Sequence, residues 1–479
     1  MMMSLKLGAY LALGAFLFAT TIPEQGYSQD QSQNSIQRVA DSGDTHAQLK
    51  LGEALVYGIN GYTQDVEAGV SLLERSALNG NIEAKASLGK ILIEDYYLPA
   101  NWPKGRRLLE DAAAAGNSKA QVTLGVALVW GLYGDPEPAQ ARNLLQQAVD
   151  NNDIDAMTIL GELLVGGYGL DQDVEAGQVM LENAVAAGNV KAKVALGSFL
   201  LYGPHLDKDL PHARTLFEEA AASGDGEGIK RLGEMMMWDL DDTAMAEEYL
   251  RRAGEMGRSK AWTALAEGAM YGYLGFKSRR KFDGFATLAS AAGEERVAVL
   301  EANRKLWGIS MRASGPEAIE GLEQAAEAGN TEAAKFLIGL VRNGNRYNVR
   351  REPKRARAYI EQYSDLFTPI EIEQLSMSID VANARTIPQY KALAADFNSR
   401  PELKSSWMGK ELFKANPNFA IYLLQGHMKR DAVYSGSLNG FATRRTLRSI
   451  LHECRTFKDS ERCGDAPLNP NVIGALLAR

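Results

Sequence analysis

The chain has 479 residues, of which 46% are hydrophobic and 23% charged, and its formal net charge is −8. This balance is typical of a water-soluble protein, and the acidic excess argues against a nucleic-acid binder, which needs a basic footprint. The sequence contains no metalloprotease, nucleophile-elbow, phosphate-loop or dinucleotide-binding motif. We therefore predict a protein that is not an enzyme and that has no catalytic, cofactor-binding or metal-binding residues.

The first feature along the chain is an apolar run over residues 7–20, preceded by Lys6. Gly26 and Ser28 are small residues suited to a cleavage site before Gln29. A run of about 14 residues is too short to span a bilayer and fits a secretory signal peptide. This predicts a signal peptide over residues 1–28 and a mature, periplasmic chain without a transmembrane anchor. The alternative is a buried N-terminal helix.

An Ala-x-x-x-Leu-Gly frame follows and recurs at a nearly constant spacing. Its alanines are 37, 36, 36 and 36 residues apart, and they are Ala47, Ala84, Ala120, Ala156 and Ala192. The period continues, with weaker matches, through Gly228, Ala261, Val297 and Ala334. A fixed period in this range is typical of stacked supersecondary units. It predicts nine repeats over residues 35–365.

The fourth repeat shows what each unit contains. Apolar residues at helical spacing predict a first helix, and they are Ala156, Ile159, Leu160, Leu163 and Leu164. Glycines over residues 166–169 end that helix, and a second begins near Asp173, with a predicted inner stripe of Ala176, Val179, Met180, Ala184 and Val185. Two short helices cannot bury both faces alone, so the repeats must stack. The predicted fold class is an all-α, right-handed solenoid of about nine two-helix repeats, followed by a small C-terminal helical module.

These repeats resemble the Sel-one-like repeat family, a branch of the tetratricopeptide-type helical repeats. The resemblance lies in the Leu-Gly pair, the Ala-Gly repeat ends, and a loop-to-helix segment that is identical at residues 64–69 and 172–177. It implies a scaffold for protein–protein interactions, often in bacterial envelopes or in signalling, and it identifies no partner.

In six repeats an aromatic residue stands six positions after the place that leucine occupies in the Leu-Gly pair. The six are Tyr57, Trp130, Tyr202, Trp238, Tyr271 and Trp307. Each ring can cover the bend between its two helices, or the series can bind a polymer or partner side chains. Both interpretations remain open at this point.

The loops between the two helices change charge along the chain. Early loops are acidic and contain Asp65, Glu67, Asp171, Asp173, Glu175, Asp207 and Asp209. Late loops are basic and contain Lys277, Arg279, Arg280, Lys281, Arg342, Arg346, Arg350, Arg351, Lys354, Arg355 and Arg357. Equivalent loops share one edge of a solenoid, so we predict a candidate interaction surface there. It is formed by Trp130, Trp238 and Trp307 with nine of these bases: Lys277, Arg279, Arg280, Lys281, Arg346, Arg350, Arg351, Lys354 and Arg355. Its ligand would be an acidic polysaccharide, anionic lipid or acidic protein.

The C-terminal part departs from the repeat. We predict a helical extension over residues 366–414 and a separate helical module over residues 415–479. Within it, Tyr434, Gly436, Leu438, Asn439, Gly440 and Thr446 resemble the Tyr-x-Gly-x-Leu-Asn-Gly pattern of small peptidoglycan-binding domains. The alternative is a helical hairpin whose turn needs the two glycines.

Cys454 and Cys463 are the two cysteines of the chain. In an oxidising compartment they would form one disulfide closing a short loop. A metal site that adds His452 is the alternative, although His-x-Cys is not a usual zinc spacing.

Length, signal peptide and repeat number together resemble the solenoid scaffold proteins of alginate-type exopolysaccharide secretion. The leading hypothesis is an exported, non-enzymatic scaffold that binds envelope proteins of exopolysaccharide biosynthesis or export. The alternatives are a periplasmic regulator of a sensor kinase and a peptidoglycan-anchored adaptor.

Overall fold

A computed structural model describes residues 35–94, 96–132, 134–202, 205–240, 242–455 and 466–479. Every regular element within these ranges is a helix, and none of those helices is long and apolar enough to cross a membrane. The chain divides into two compact units, Met1–Leu196 and Gly197–Arg479. The predicted signal peptide lies outside the described residues.

Eighteen of the described helices form nine consecutive pairs, as the period predicts. After a helical segment at residues 35–41, the pairs are α1 (Thr45–Tyr57) and α2 (Val66–Leu78), α3 (Ile82–Glu94) and α4 (Trp102–Ala114), α5 (Ser118–Val129) and α6 (Pro138–Asp150), α7 (Ile154–Gly166) and α8 (Val174–Ala186), α9 (Val190–Tyr202) and α10 (Leu210–Ala222), α11 (Gly226–Trp238) and α12 (Thr243–Glu255), α13 (Lys260–Tyr271) and α14 (Arg279–Ala291), α15 (Arg296–Trp307) and α16 (Gly315–Glu327), and α17 (Thr331–Asn343) and α18 (Pro353–Gln362). The predicted all-helical solenoid of repeats is confirmed.

Short polar residues start most of these helices. In the first repeat, Asp44 accepts a hydrogen bond from the Ala47 amide (2.7 Å) and Asp65 accepts one from the Ala68 amide (3.0 Å). Such caps satisfy amides that have no partner inside the helix. The junctions between repeats take the left-handed conformation: Gly80 has φ of 87°, and Asn152 has φ of 62° at the junction that lacks glycine. Asparagine is among the few other residues that adopt this conformation readily.

The glycine of the Leu-Gly pair allows the two helices of a repeat to pack closely. A Cβ atom added at Gly161 would lie 2.9 Å from Cγ of Leu181 and 3.0 Å from the carbonyl oxygen of Gly177. The same crowding against the second helix recurs at Gly52, Gly89, Gly125, Gly197 and Gly233. The regular spacing of these glycines along the chain therefore reflects close contact between the two helices of a repeat.

The predicted inner stripe of α8 is wrong at Val179, whose side chain is 51% exposed. The buried residues are Ala184, as predicted, together with Gly177 and Leu181. The contact surface is narrow because α8 approaches α7 through Gly177, whose Cβ would lie 2.7 Å from the Gly161 carbonyl oxygen. The larger side chain of Val179, beside this close contact, therefore remains half exposed to solvent.

Among the described residues, six further α-helices follow the ninth repeat: α19 (Pro369–Asn383), α20 (Ile387–Ser399), α21 (Ser406–Ala415), α22 (Pro417–Arg430), α23 (Arg444–Arg455) and α24 (Pro470–Leu477). One apolar cluster extends from Met377 to Leu477 and includes Phe397, Leu412 and Phe419. The helical extension and the C-terminal module, separated at residue 415 in the sequence, share this core.

A buried ion pair joins the last repeat to these helices. Arg342 of α17 is fully buried, its Nη2 donates to Glu411 of α21 (2.9 Å), and its Nη1 donates to Ser378 of α19 (2.7 Å). Burial disfavours ionised Glu411, but Arg342 and Lys414 outweigh that effect and lower its pKa. Counting Arg342 with the exposed basic loop is therefore wrong, because it faces the adjoining core.

Candidate interaction edge

The first helices of repeats six to nine pack side by side, since α11 contacts α13, α13 contacts α15, and α15 contacts α17. Their C-terminal ends and the loops that follow consequently lie along one edge of the second unit. Trp238, Tyr271 and Trp307 stand at these helix ends. This edge carries the candidate interaction surface of that unit.

Each exposed tryptophan on the edge pairs with a tyrosine from the next repeat. The Trp307 and Tyr347 rings are 5.7 Å apart at an interplanar angle of 72°, and the Trp238 and Tyr273 rings are 4.7 Å apart at 68°. Trp307 is 54% exposed and Tyr347 is 79% exposed. These rings do more than cover a bend, because each pair leaves large aromatic surface in solvent.

The tyrosine partners were missed by the sequence argument, which considered only the helix-end position. Tyr273 follows Trp238 by 35 residues and Tyr347 follows Trp307 by 40, about one repeat in each case. A search for aromatic pairs one repeat apart would have found them. Phe276, which is 65% exposed, adds a further ring in the seventh loop. In the first unit Tyr57 and Tyr97 form a comparable pair, with ring centroids 5.4 Å apart.

The nine predicted bases divide into paired and unpaired groups. Four have partners: Arg279 with Asp283, Lys281 with Glu247, Arg355 with Glu323, and Arg351 with the Ala382 carbonyl oxygen. Within the described part of the chain, the side chains of five make no ion pair or hydrogen bond, and they are Lys277, Arg280, Arg346, Arg350 and Lys354. All five are exposed. We name these five cations, together with Trp238, Tyr271, Tyr273, Phe276, Trp307 and Tyr347, the aromatic–cationic edge.

A groove of about 440 Å³ lies at the C-terminal end of this edge. Lys354 lines it together with Arg351, Arg357, Glu361, Ile379 and Asn383. Arg357 pairs with Asp380 at 2.6 Å. The groove thus combines cationic groups with an apolar wall.

The acidic loops of the early repeats have a structural use. Asp173 accepts a hydrogen bond from the Ala176 amide (3.2 Å), and Asp209 accepts one from the His212 amide (3.0 Å). With Asp65, these aspartates are helix N-caps, and caps of this kind explain their position without a ligand. Trp130, the remaining tryptophan of the predicted surface, is only partly exposed and packs against the core of the first unit.

The C-terminal motif is built around a buried glutamine. Oε1 of Gln425 accepts hydrogen bonds from the Asn439 and Gly440 amides (3.0 and 2.9 Å). Its Nε2 donates to the hydroxyl of Thr446, which is fully buried. The Tyr434 hydroxyl donates to the Ser437 carbonyl oxygen (3.0 Å), Gly436 is buried, and Leu438 packs against the core. These residues hold the loop against α22, and peptidoglycan binding by them stays a prediction.

Cys454 is buried in α23, while Cys463 lies outside the described residues, so their pairing stays a prediction. No group of three or more histidine, cysteine, aspartate or glutamate residues in the described ranges is arranged to hold a metal ion.

The stacked helix pairs define a helical-repeat protein. The family model of the Sel1 repeat matches residues 45–81, 118–153, 154–189 and 190–225. These ranges contain the first, third, fourth and fifth helix pairs, and proteins with Sel1 repeats typically mediate protein–protein interactions.

Among solved structures, the chain is similar to a protective antigen of uropathogenic Escherichia coli that displays an SLR fold. The identity is 19%, the alignment covers 91% of this chain and 95% of that one, and the TM-score is 0.40. It is also similar to a Sel1 repeat protein of Oxalobacter formigenes, with 19% identity, 76% and 98% coverage, and a TM-score of 0.38. No protein with a curated function matches the chain.

Proposed function

We propose that this protein is an exported, non-enzymatic scaffold that holds together proteins of a bacterial envelope assembly for exopolysaccharide biosynthesis or export. The observation that carries the proposal is the aromatic–cationic edge, where rings and unpaired cations from successive repeats face solvent. Trp, Tyr and Arg are the residue types enriched at protein interfaces. The apolar run at residues 7–20 supports export.

The test is recovery of partners by the tagged chain from its native envelope at low and at high salt. Salt-sensitive recovery of synthase or secretion-pore subunits supports the scaffold, because exposed ion pairs are screened over about 8 Å at physiological ionic strength. Recovery of a sensor kinase alone would instead identify a regulator. Recovery of no envelope protein at either salt concentration would contradict the proposal.

The wall-anchored alternative is tested by co-sedimentation with purified peptidoglycan sacculi. Deleting residues 415–479 is unsuitable, because it would expose the buried Met408 and Leu412 of α21. Phe441→Ala is preferable, since Phe441 is exposed and lies beside the motif. Sedimentation that is lost in this variant would favour a peptidoglycan-anchored adaptor.

A further inference from the structure

We infer that the aromatic–cationic edge binds an extended acidic protein segment, with carboxylates on its cations and an apolar side chain against a ring pair. This inference deepens the scaffold proposal by naming the chemistry of the partner, and it rests on that proposal.

The first argument is charge. The chain as a whole has a formal net charge of −8, yet five exposed cations of the edge have no ion pair within the described residues. Two neighbouring bases, by contrast, are neutralised by carboxylates. Lys281 Nζ lies 2.7 Å from a carboxylate oxygen of Glu247, and Arg355 Nη2 lies 2.9 Å from one of Glu323. An unpaired positive patch on the surface attracts an acidic partner.

The second argument is the shape of the aromatic pairs. Sugar rings stack on flat, open aromatic faces, whereas the Trp238–Tyr273 and Trp307–Tyr347 pairs are inclined at 68° and 72°. Edge-to-face pairs form a notch instead of a platform, and a branched apolar side chain fits a notch. This geometry favours a polypeptide over a polysaccharide.

The third argument is continuity. The notch at Trp307–Tyr347 comes from the loops of repeats eight and nine, and the ninth loop leads directly to Lys354 and the groove beside Ile379. The side chain of Asn348 donates to the Leu306 carbonyl oxygen (2.9 Å), which fixes the ninth loop against α15. Notch, cations and groove therefore form one preorganised track that an extended segment can follow.

The experiment is a fluorescence-anisotropy titration of the mature full-length chain with a labelled oligoglutamate peptide containing one central leucine. An all-glutamate peptide of the same length and an oligogalacturonate of equal charge are the comparison ligands. Each titration is made at ionic strengths of about 0.01 M and about 0.15 M. We expect the leucine-containing peptide to bind most tightly, with weaker binding at the higher salt.

Two variants of the edge identify the site. Lys277→Glu, Arg280→Glu and Arg350→Glu together should weaken binding at least about tenfold, whereas Arg38→Glu, Arg107→Glu and Lys119→Glu, with the same charge change on exposed cations of the first unit, should have little effect. Trp307→Ala with Tyr347→Ala should remove the preference for leucine and leave binding of the all-glutamate peptide unchanged. Both residues are largely exposed, so the fold should tolerate the change, as an unchanged melting temperature would verify.

Several results would overturn the inference. They are absence of peptide binding, equal loss in the two triple variants, and tighter binding of oligogalacturonate than of either peptide. Failure of this inference can be distinguished from failure of the scaffold proposal. If the edge triple variant still recovers envelope partners, the scaffold proposal is supported and the proposed site is wrong. If the wild type recovers no partner, the scaffold fails, while the peptide titration still decides whether the edge binds acidic segments.

Discussion

The nine repeats and the C-terminal helices use the same element, a helix of 8 to 15 residues, in two different ways. In the repeats, a glycine of the first helix contacts the second, as Gly52 does with Leu73 and Gly161 with Leu181. In the C-terminal region, one core gathers residues from Met377 to Leu477, and buried polar groups connect its helices. The repeats therefore depend on local contacts of constant spacing, and the C-terminal region depends on contacts between distant positions.

This difference predicts which substitutions should lower the free energy of unfolding most. A repeat packs against similar neighbours, whereas the contact between α17 and α21 contains a fully buried arginine whose carboxylate partner is Glu411. Each region can be perturbed separately by point substitutions.

Arg342→Met should have the largest effect. It leaves Glu411 buried beside Lys414 alone, and breaking a buried ion pair costs about 3–5 kcal/mol of the free energy of unfolding. Urea denaturation followed by circular dichroism measures the loss.

Arg357→Met, which breaks the exposed pair with Asp380, is the matched control and should cost less than about 1 kcal/mol. Adding Glu411→Leu to Arg342→Met should restore part of the stability, and equal losses in Arg342→Met and Arg357→Met would contradict the importance of the junction.

Gly161→Val tests the close helix contact within a repeat. Its Cβ would already meet Leu181 and the Gly177 carbonyl oxygen, so the added methyl groups should cost about 1–3 kcal/mol. Thermal melting measures this cost, and Gly161→Ala should show a smaller loss in the same direction. A melting temperature equal to that of the wild type would show that the two helices can separate without penalty.

Glu162 provides a pH test in the repeats. Burial raises the pKa of its carboxyl to about 7, although Lys191 lowers it in part. The carboxyl is protonated in both folded and unfolded chains at low pH, and its ionisation increasingly destabilises the fold as the pH rises from about 4.5 to about 7. Glu162→Gln should therefore raise stability by roughly 1–3 kcal/mol near pH 8 and leave it almost unchanged near pH 4. The exposed Glu182→Gln is the control, and a gain that is independent of pH would exclude this explanation.

Gly284→Ala should have the smallest effect, and it should be stabilising. Gly284 lies within α14, and nothing stands within 4 Å of an added Cβ. Alanine in a helix is favoured over glycine by about 0.5–1 kcal/mol. A rise in melting temperature, opposite in sign to that of Gly161→Val, would separate glycines needed for packing from glycines that are not. A decrease would show that the helix requires flexibility at this position.

The periodic part of the structure could be predicted from the sequence because its causes repeat. Leu-Gly pairs, junction glycines and capping aspartates recur in most repeats, so each repeat reinforces the interpretation of the others. Arg342 could not be assigned, because the basic residues around it are exposed and its partner Glu411 is 69 positions away. The edge cations were predicted by charge alone, and only the structure separates paired Lys281 from unpaired Lys277.

The starts of α13 and α15 differ from those of the other first helices of the repeats. Ser259 and Glu295 precede α13 and α15 without capping them: the Ser259 hydroxyl donates to Glu294 of the next repeat, and a carboxylate oxygen of Glu295 accepts from the Glu332 amide (3.4 Å). Amides in these first turns instead make bonds of 3₁₀ type, such as Ala261 to Arg258 (2.8 Å). Hydrogen–deuterium exchange should therefore be faster at the starts of α13 and α15 than at those of α7 or α11. Repeats seven and eight, which carry Tyr271 and Trp307 at the other ends of these helices, would then open most readily on the timescale of exchange. A partner bound at the edge would consequently be seen as slowed exchange far from its own contacts.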